Sequence, residues 1–456
     1  MAPRARRRAA TAPPPLLLLL LLPSLCTALV WQNWAFNQQF NVTGIVNATT
    51  EADVAAVLLA HARVKPFGAA HSFSGIDGTE GVMLRLVPPA DPVARLGPGT
   101  VRAHAGLHLY ELNALLESRW GLALANLGAI AMQTVAGATQ TNTHGTGATT
   151  GTAGFITGFT AVLPNGTAVY ANSSTHAELF RAGRAGAGAL GVLTWVELAV
   201  VPLWRLEKIT VPGYALPDLL AAVPALRRQW PRVEWWYTPY ANASGTVVVR
   251  ADVPASAPVT GCWGAPSYPT PLTPPPDGLA AWPAGTSACT DVSYKALTGA
   301  TGDDFTRYTE MEMMVGEADF GALAADFAAF QDSVAPQCAS AACRRSLHTG
   351  GRFVSADDIW LSPFYGRDTA VFSMVVYGSV TDEADPAVVQ LYDAGLQSAA
   401  LRYGARPHLG KNNYFTAAQL AAALPDTYAP FVRLRAALDP TGKLSNGYLD
   451  QLFGAR

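Results

Sequence analysis

The pattern of apolar and polar positions between residues 29 and 203 predicts short strands with a few helices between them. Apolar residues recur at helical spacing in residues 51–62, and Thr50 precedes them as a candidate N-cap. A short strand is expected before this helix, and a second helix is expected near residues 107–118. Strands are also expected at residues 64–67 and 81–86, and the apolar, β-branched run 189–203 predicts one or two more.

The pattern after residue 203 predicts a second lobe built on an antiparallel sheet with helices. The predicted strands are residues 307–315, 352–363 and 370–378, and the predicted helices are residues 318–334 and 386–404. Residues 254–288 are too rich in proline for regular structure. We therefore expect an α+β protein whose domains are residues 29–203 and 204–420, with residues 421–456 packing back on the first.

The first 28 residues have the pattern of a secretory signal peptide. MAPRARRR is a cationic start, Leu16 to Leu22 form a short apolar run, and a cleavage site is expected around Thr27 and Ala28. The apolar run is short for a membrane span. The prediction is a protein of the secretory pathway, secreted or in the ER lumen, and an uncleaved leader that holds it at a membrane is the alternative.

Glycosylation sequons and an even number of cysteines agree with export. The sequon asparagines are Asn41, Asn47, Asn165, Asn172 and Asn242. Beyond the leader, the cysteines are Cys262, Cys289, Cys338 and Cys343, without the spacing of a metal site. We expect Cys262 to pair with Cys289 and Cys338 with Cys343. Four cysteines allow three pairings, and four reduced thiols are the other possibility.

The composition bounds the classes of function. Half of the 456 residues are hydrophobic and 14% are charged, so a large core is possible. The formal net charge of −2 gives no basic footprint for nucleic acid, and no nucleic-acid partner is expected. The stretch 186-GAGALG-191 has the spacing G-x-G-x-x-G, but a helix-like segment precedes it and a strand follows it. This order is the reverse of a Rossmann dinucleotide site, which we reject.

Two glycine-rich stretches carry candidate chemistry. Residues 124–147 combine small residues with hydroxyls, including Thr141, Thr143 and Thr146, and contain no lysine or arginine. Backbone N–H groups in such turns bind anions, so a phosphate-bearing ligand is one interpretation and a packing strip of small residues is the other. In 67-FGAAHSFSGIDG-78, His71 is a structural histidine, a metal ligand or a group that contacts a cofactor.

Six motifs together resemble the aldonolactone oxidase and alditol oxidase family of vanillyl-alcohol-oxidase-type flavoproteins. They are GAAHSFS, ANLGAIAMQTVAGATQTNTHGTG, ALGVLTWVEL, ADDIWLSPFYGRD, RPHLGK and DPTGKLSNGYL, in the order that the family has them. The resemblance extends from residue 31 to residue 449. It implies a two-lobed fold, with an FAD-binding domain of the PCMH type and a substrate (cap) domain in which helices flank an antiparallel sheet.

The resemblance also implies where FAD binds. His71 matches the histidine that often carries the flavin through its 8α carbon, and a noncovalent contact is the alternative. Residues 137–147 match the pyrophosphate loop, where His144 is expected to fix the loop rather than act as a base. Gly128 matches a position where a small residue leaves room for oxygen. The implied contacts are Phe67, Gly68, Ala69, Ala70, His71, Ser72, Phe73, Gly128, Val135, Ala136, Gly137, Thr141, Thr143, His144, Gly145, Gly147, Gly191, Val192 and Leu193.

For catalysis, the resemblance implies two cations beside the flavin and the substrate. Lys411 is the first of them and Arg352 the second, and His408 positions Lys411 or acts with it. A surface lysine and a structural arginine are the alternatives. The chain departs from its relatives at Gly350, where they carry glutamate, at Ser373 and Val375, where alditol oxidases carry His-x-Thr, and at Leu409, where relatives carry a bulkier side chain. Glu310 or Glu312 could supply the missing carboxylate.

The sequence thus predicts an FAD-dependent oxidase with a small-molecule substrate. The leading interpretation is oxidation of an aldono-1,4-lactone, with electrons passed to molecular oxygen to give H₂O₂. Oxidation of an alditol is the alternative. The side chains at pocket positions such as 373 and 375 decide between the two substrate classes. A flavin- or sugar-binding protein without activity is a further possibility, because Gly350 removes an expected acid. No metal is expected.

Overall fold

The computed structural model of the chain describes residues 29–240, 244–263, 270–299, 307–338, 340, 343, 347–377 and 386–455. The predicted signal peptide and the sequon at Asn242 lie outside these residues. Within the described ranges, no helix is both long and apolar enough to cross a bilayer.

Twenty strands are assigned in these ranges, numbered in chain order. They are β1 Leu29–Gln32, β2 Gln39–Val42, β3 Gly44–Ala48, β4 Val64–Phe67, β5 Val82–Leu86, β6 Val93–Gly97, β7 Thr100–His104, β8 Leu122–Ala123, β9 Ile156–Val162, β10 Ala168–Asn172, β11 Val192–Ala199, β12 Val201–Pro202, β13 Arg205–Tyr214, β14 Arg232–Thr238, β15 Ser244–Val253, β16 Ser287–Val292, β17 Tyr308–Gly316, β18 Leu347–Val354, β19 Thr369–Tyr377 and β20 Arg406–Pro407.

The helices pack against these strands. The α-helices of the described ranges are α1 Glu51–Ala60, α2 Leu109–Trp120, α3 Val135–Gln140, α4 Ala177–Gly183, α5 Leu216–Gln229, α6 Ser293–Leu297, α7 Phe320–Val334, α8 Pro386–Leu401, α9 Ala417–Ala423, α10 Tyr428–Leu438 and α11 Gly447–Phe453. Short 3₁₀ turns occupy Gly75–Asp77, Thr152–Phe155, Glu317–Asp319 and Ala335–Cys338.

The first part of the chain contains two main sheets. Strands β3, β5 and β4 form a parallel sheet, and β10, β9, β11, β7 and β6 form an antiparallel one, each in that order. Helix α1 begins as its sequence predicts: the Thr50 hydroxyl accepts the Asp53 amide, and the Asp53 carboxylate accepts the Thr50 amide. Its buried Val54 and Leu58 pack with Val64 and Leu84 of the parallel sheet.

The second part is one eight-stranded sheet in which each neighbouring pair is antiparallel. The strand order is β16-β13-β15-β14-β18-β19-β17-β20. One face packs against helices through residues such as Trp235, Phe320 and Phe372, whose rings lie 5.4–5.8 Å apart. Because side chains alternate between faces along a strand, Glu234 and Trp236 lie on the face opposite Trp235. The predicted α+β class and antiparallel sheet are confirmed.

The C-terminal segment returns to the first part of the chain. Leu444 joins the core around Val54 and Leu58. The Asn446 amide donates to the carbonyls of Gly75 and Gly78 at 2.9 and 2.8 Å. These contacts anchor the end of the chain beside the loop that carries His71. The proposed domain boundaries at residues 203 and 420 themselves stay a prediction.

Two sequence predictions of local structure need correction. Residues before α1 form three short strands rather than one. The strand expected at 352–363 lies at Leu347–Val354 and ends there. Asp357 accepts hydrogen bonds from the Ile359 amide and the Ser362 hydroxyl, and such local side-chain bonds compete with a strand ladder. The Cys262–Cys289 and Cys338–Cys343 disulfides are both present as expected.

Candidate active site

A large cavity of about 860 Å³ lies where the parallel and antiparallel sheets meet. The loop after β4, the ends of β5 and β7 and the start of β11 form its walls. Its volume is that of a cofactor site, for which roughly 300–1,000 Å³ is usual. The predicted FAD contacts that line it are Phe67, Gly68, Ala69, Ala70, His71, Ser72, Ala136, Gly137, Thr141, Gly191, Val192 and Leu193.

Unsatisfied polar groups show that this cavity suits a polar ligand such as FAD. Trp34 Nε1 and Asp77 Oδ1 are buried side-chain atoms that line it without a hydrogen-bond partner among the described residues. The backbone N–H groups of Ala69, Ala70 and Ser72 also have no hydrogen-bond acceptor among the residues that the structure describes. Unpaired N–H groups in a turn bind anions, so the partly buried amides of Ala69, Ala70 and Ser72 fit the phosphates of a dinucleotide.

Only part of the expected pyrophosphate loop, namely Gly137, Gln140 and Thr141, lines the large cavity. In residues 137–147, the amides of Gly137, Asn142, Thr143 and Gly147 already donate to protein oxygens. The structure therefore favours the amides that follow β4 as phosphate donors. The predicted contacts Val135, Gly145 and Gly147 do not line the large cavity, because Val135 is core and the two glycines pack against other parts of the protein.

His71 lies between this cavity and a second one. It lines both, and its ring stacks on Trp34 with centroids 4.8 Å apart. The residue before it, Ala70, has a φ of 57°, an uncommon left-handed conformation for a residue with a side chain. The Ala70 carbonyl accepts the Trp34 amide at 2.8 Å, which helps hold this turn. The imidazole is thus fixed at the junction of the two cavities.

The second cavity is small, about 220 Å³, and several charged side chains line it. Its floor is the sheet face opposite the helices, where side chains alternate along β14, β17, β18 and β19. The predicted residues that line it are His71, Ser72, Phe73, Gly128, Thr141, Thr143, His144, Arg352, His408 and Lys411. His144 thus lines the small cavity and does not line the large one.

The three predicted catalytic residues meet three carboxylates on this floor. Lys411 forms a close ion pair with Glu310. Arg352 Nη2 lies 3.3 Å from Glu234 Oε1, and Arg352 Nη1 lies 3.6 Å from Glu312 Oε1. The acid missing at position 350 is therefore replaced by carboxylates from β14 and β17.

The turn that carries Lys411 is bonded to the loop that carries His71. The Phe73 amide donates to the Gly410 carbonyl at 2.7 Å, and the Ser74 hydroxyl donates to the Leu409 carbonyl at 2.6 Å. The Lys411 ammonium lies 5.0 Å from the Phe73 ring centroid. Residues about 340 positions apart in sequence are held as one unit, so the cation and the imidazole keep a fixed relation.

Two histidines surround Glu312. His144 Nε2 and His408 Nε2 lie 3.3 and 4.0 Å from Glu312 Oε2. These three residues are a possible metal-ligand group. The Gly410 amide donates to His408 Nδ1 at 3.1 Å, which places the proton of the neutral ring on Nε2. His408 then offers no lone pair to a metal here, and we assign the group as a hydrogen-bonded cluster.

Burial and neighbouring charge shift the pKa values of this cluster. Burial alone would raise the pKa of Glu234, but Arg352 and Arg250 outweigh it and hold the pKa at about 2. Burial lowers the pKa of Lys411, yet Glu310 and Glu312 outweigh it and raise the pKa above its ordinary value. Burial lowers the pKa of His408 to about 3, against the opposing effect of Glu312. The cations therefore stay charged and His408 stays neutral.

His408 makes the stability of the fold dependent on pH. In the unfolded chain its pKa is near 6.5, and in the fold it is about 3. Since the unfolded state binds the proton first as pH falls, we expect this residue to remove about 1.4 kcal/mol of unfolding free energy per unit below pH 6. Denaturant unfolding at several pH values should show that the free energy of unfolding falls less steeply with decreasing pH in His408→Gln than in the wild type.

The comparison between the wild type and His408→Gln isolates this residue from other groups. His61→Gln, at a partly exposed position, is the matched control and should leave the slope as in the wild type. Equal slopes in the wild type and His408→Gln would contradict a neutral buried His408.

Sequence reasoning missed Glu234 and Trp236, among other residues of this site, and left Glu310 and Glu312 open. Glu234 and Trp236 had no motif to mark them, because they join the site through the pairing of β14 with β18. Glu310 and Glu312 were weighed only as possible carboxylates. Their two-residue spacing in 308-YTEMEMMVG-316, with Met311 between them, is the signal that places both on one face of a strand.

Two sequence families match the chain. The family of D-arabinono-1,4-lactone oxidase matches residues 349–452, and a family described as FAD binding domain matches residues 42–172. Among solved structures, cholesterol oxidase from Brevibacterium sterolicum has a TM-score of 0.72 at 16% identity, covering 93% of this chain and 96% of that one. At this identity the likeness shows the fold alone.

Several relatives match this chain over most of the length of both proteins. L-gulono-1,4-lactone dehydrogenase of Mycobacterium tuberculosis is 27% identical over 93% of this chain and 99% of its own length. L-gulonolactone oxidase of Bos taurus is 26% identical over 86% and 90%, and alditol oxidase of a Streptomyces species is 26% identical over 92% and 98%.

The fold, the cofactor cavity and the charged cavity beside it define a flavoprotein oxidoreductase with a PCMH-type FAD-binding domain. Within this class, the chain is similar to the aldonolactone oxidases and alditol oxidases, through residues 349–452 and through relatives that are 26–27% identical over most of their length.

Proposed function

We propose that this protein is an FAD-dependent oxidase of a sugar-derived alcohol, with an aldono-1,4-lactone as substrate. The observation that carries the proposal is the place of Lys411 and Arg352 in a small cavity, lined by charged side chains, that shares His71 with the cofactor cavity. The family match to D-arabinono-1,4-lactone oxidase and the L-gulonolactone-oxidising relatives support it.

The chain's own residues orient the substrate and stabilise charge. FAD, when bound, supplies the electron acceptor for oxidation of a carbinol carbon. Lys411 and Arg352 place two cations in the small cavity, where they would stabilise negative charge that develops during the reaction, and a preorganised cation in a dry site stabilises such charge strongly. Glu310 and Glu234 hold these cations in place. Carboxylates of the floor accept hydrogen bonds from sugar hydroxyls.

The size of the small cavity limits the substrate. About 220 Å³ is below the roughly 300–1,000 Å³ of sites for drug-sized ligands, so a bulky substrate is excluded and a monosaccharide lactone or an alditol fits. Peroxide release from L-gulono- and L-galactono-1,4-lactone, compared with xylitol and sorbitol, tests the proposal. Release on lactones supports it. Release on alditols alone would reassign the substrate, and release on none would leave a binding protein without activity.

Oxygen as the acceptor makes Gly128 a position to test. A Cβ atom there would lie 2.6 Å from Thr143 Cγ2, so Gly128→Ala narrows the small cavity beside the shared wall. We expect the rate with oxygen to fall about tenfold, which corresponds to an activation free energy raised by about 1.4 kcal/mol, while the rate with a dye acceptor is retained. Parallel assays of peroxide release and dye reduction measure the ratio.

A double variant separates oxygen access from packing. Thr143→Ser removes the contacting methyl group and keeps the hydroxyl that accepts the Gln133 amide at 2.9 Å. Gly128→Ala/Thr143→Ser should therefore recover the melting temperature and keep the low oxygen rate. Equal losses with oxygen and dye would contradict a role in oxygen access.

Two finer features are part of the proposal. FAD is held covalently through His71, supported by the fixed imidazole at the junction of the cavities. The protein is a disulfide-bonded glycoprotein of the secretory pathway, secreted, lumenal or held at a membrane by its leader. The two disulfides support this, and the asparagines of the sequons at Asn41, Asn47 and Asn165 are exposed.

A further inference from the structure

Trp236 occupies the space beside Gly350 on the floor of the small cavity. In the sheet register, Trp236 pairs with Gly350, Gly350 with Ser373, and Ser373 with Glu312, so the four residues form one row across four strands. A Cβ atom on Gly350 would lie 2.3–2.8 Å from three atoms of the indole ring. The ring therefore lies over the glycine, and no side chain at position 350 fits while Trp236 keeps this place.

Polar contacts hold the indole in this position. Trp236 Nε1 donates to Glu234 Oε1 at 2.8 Å. The same carboxylate receives Arg352 at 3.3 Å and Arg250 at 3.0 Å, and both it and Arg352 are buried. The Arg352 guanidinium lies 5.7 Å from the indole centroid, within the range of a cation–π contact. Glu234 thus links the aromatic ring to the predicted catalytic arginine.

We propose that Trp236 is the specificity-determining wall of the substrate cavity. Its flat ring takes the room that a side chain at position 350 would use and packs on the C–H face of a cyclic sugar lactone. Glu234 supplies the carboxylate partner of Arg352 in place of an acid on β18. A rigid ring substrate suits this wall better than an open-chain alditol, which loses more conformational freedom on binding. This inference rests on the proposed function of the cavity.

A double-mutant cycle in melting temperature tests whether the Trp236 ring and a side chain at position 350 compete for the same space. Gly350→Ala should lower the melting temperature by about 2–6 °C, since overpacking a core is destabilising. In the Trp236→Ala background, the same Gly350→Ala change should have little effect, because the colliding ring is gone. An equal loss of melting temperature in both backgrounds would overturn this competition for space, regardless of the enzyme's activity.

Kinetics of the same variants test the role in specificity. We expect Trp236→Ala to raise KM for L-gulono-1,4-lactone about tenfold, with kcat within about threefold, and to shift the ratio of kcat/KM towards xylitol. Trp236→Phe keeps a flat ring and should recover most of the lactone KM. Trp195→Ala, at a partly buried tryptophan on β11 that lines neither cavity, is the matched control.

The outcomes separate this inference from the proposed function. A wild type that oxidises lactone together with a Trp236→Ala variant of unchanged KM and selectivity would overturn the role of Trp236 alone. A wild type that oxidises none of the sugars would overturn the proposed function and the stacking role with it, while the melting cycle would still decide the competition for space.

Discussion

Replacing Lys411 by methionine is expected to lower turnover of the preferred lactone by about 10²–10³-fold, the usual loss when one charge-stabilising group is removed from an active site. Lys411 is paired with Glu310 and lines the small cavity with His71. Its charge is maintained because Glu310 and Glu312 outweigh the effect of burial and raise its pKa. Steady-state kinetics with the lactone, and the rate at which anaerobic lactone bleaches the flavin, measure the effect.

The single variant leaves Glu310 buried without its partner, which is costly to stability. Lys411→Met/Glu310→Gln removes both charges and should fold with a melting temperature nearer the wild type while remaining as slow. Lys295→Met, near Trp263 on the edge of the sheet, is the control and should keep full turnover. A double variant that is stable and turns over within about threefold of the wild type would remove Lys411 from catalysis.

Replacing His71 by alanine is expected to release the flavin from the denatured protein completely. In the wild type, yellow colour should remain with the pellet after acid precipitation, since a bond to the imidazole survives unfolding. In His71→Ala, the colour should pass to the supernatant. The stack on Trp34 and the position between the two cavities are the structural basis of this expectation. Absorbance of pellet and supernatant is the measurement.

His61→Ala is the matched control for this experiment, because His61 is partly exposed and lines neither cavity. It should keep the colour in the pellet. Flavin that stays with the His71→Ala pellet would assign the bond to another residue. A wild type that releases its flavin into the supernatant would make His71 a noncovalent contact.

Much of the fold follows from periodicity in the sequence. The N-terminal cap at Thr50, the strands β4 and β5 and the long helices α7 and α8 lie where the sequence predicts them. The predicted strand at 352–363 was wrong because two glycines and a histidine hide the start of β18. Its end at Val354 depends on the local bonds of Asp357, which no periodicity records.

Some residues of the site also follow from the sequence, and others do not. Motifs placed His71, Arg352 and Lys411 in one region because each stands in a recognisable sequence context. The contribution of Glu234 and Trp236 depends on which strands become neighbours, and strand order in an antiparallel sheet is decided by the packing of the whole lobe. Four of the amides in residues 137–147, those of Gly137, Asn142, Thr143 and Gly147, donate to oxygens within the protein, which composition cannot show.

The most direct test of the account is anaerobic addition of L-gulono-1,4-lactone to the purified mature protein while its flavin spectrum is recorded. The account predicts a yellow protein that the lactone bleaches, with colour and one H₂O₂ per flavin returning when oxygen is admitted. A protein that takes up no FAD, or bound FAD that neither a lactone nor an alditol bleaches, would contradict the assignment of the two cavities.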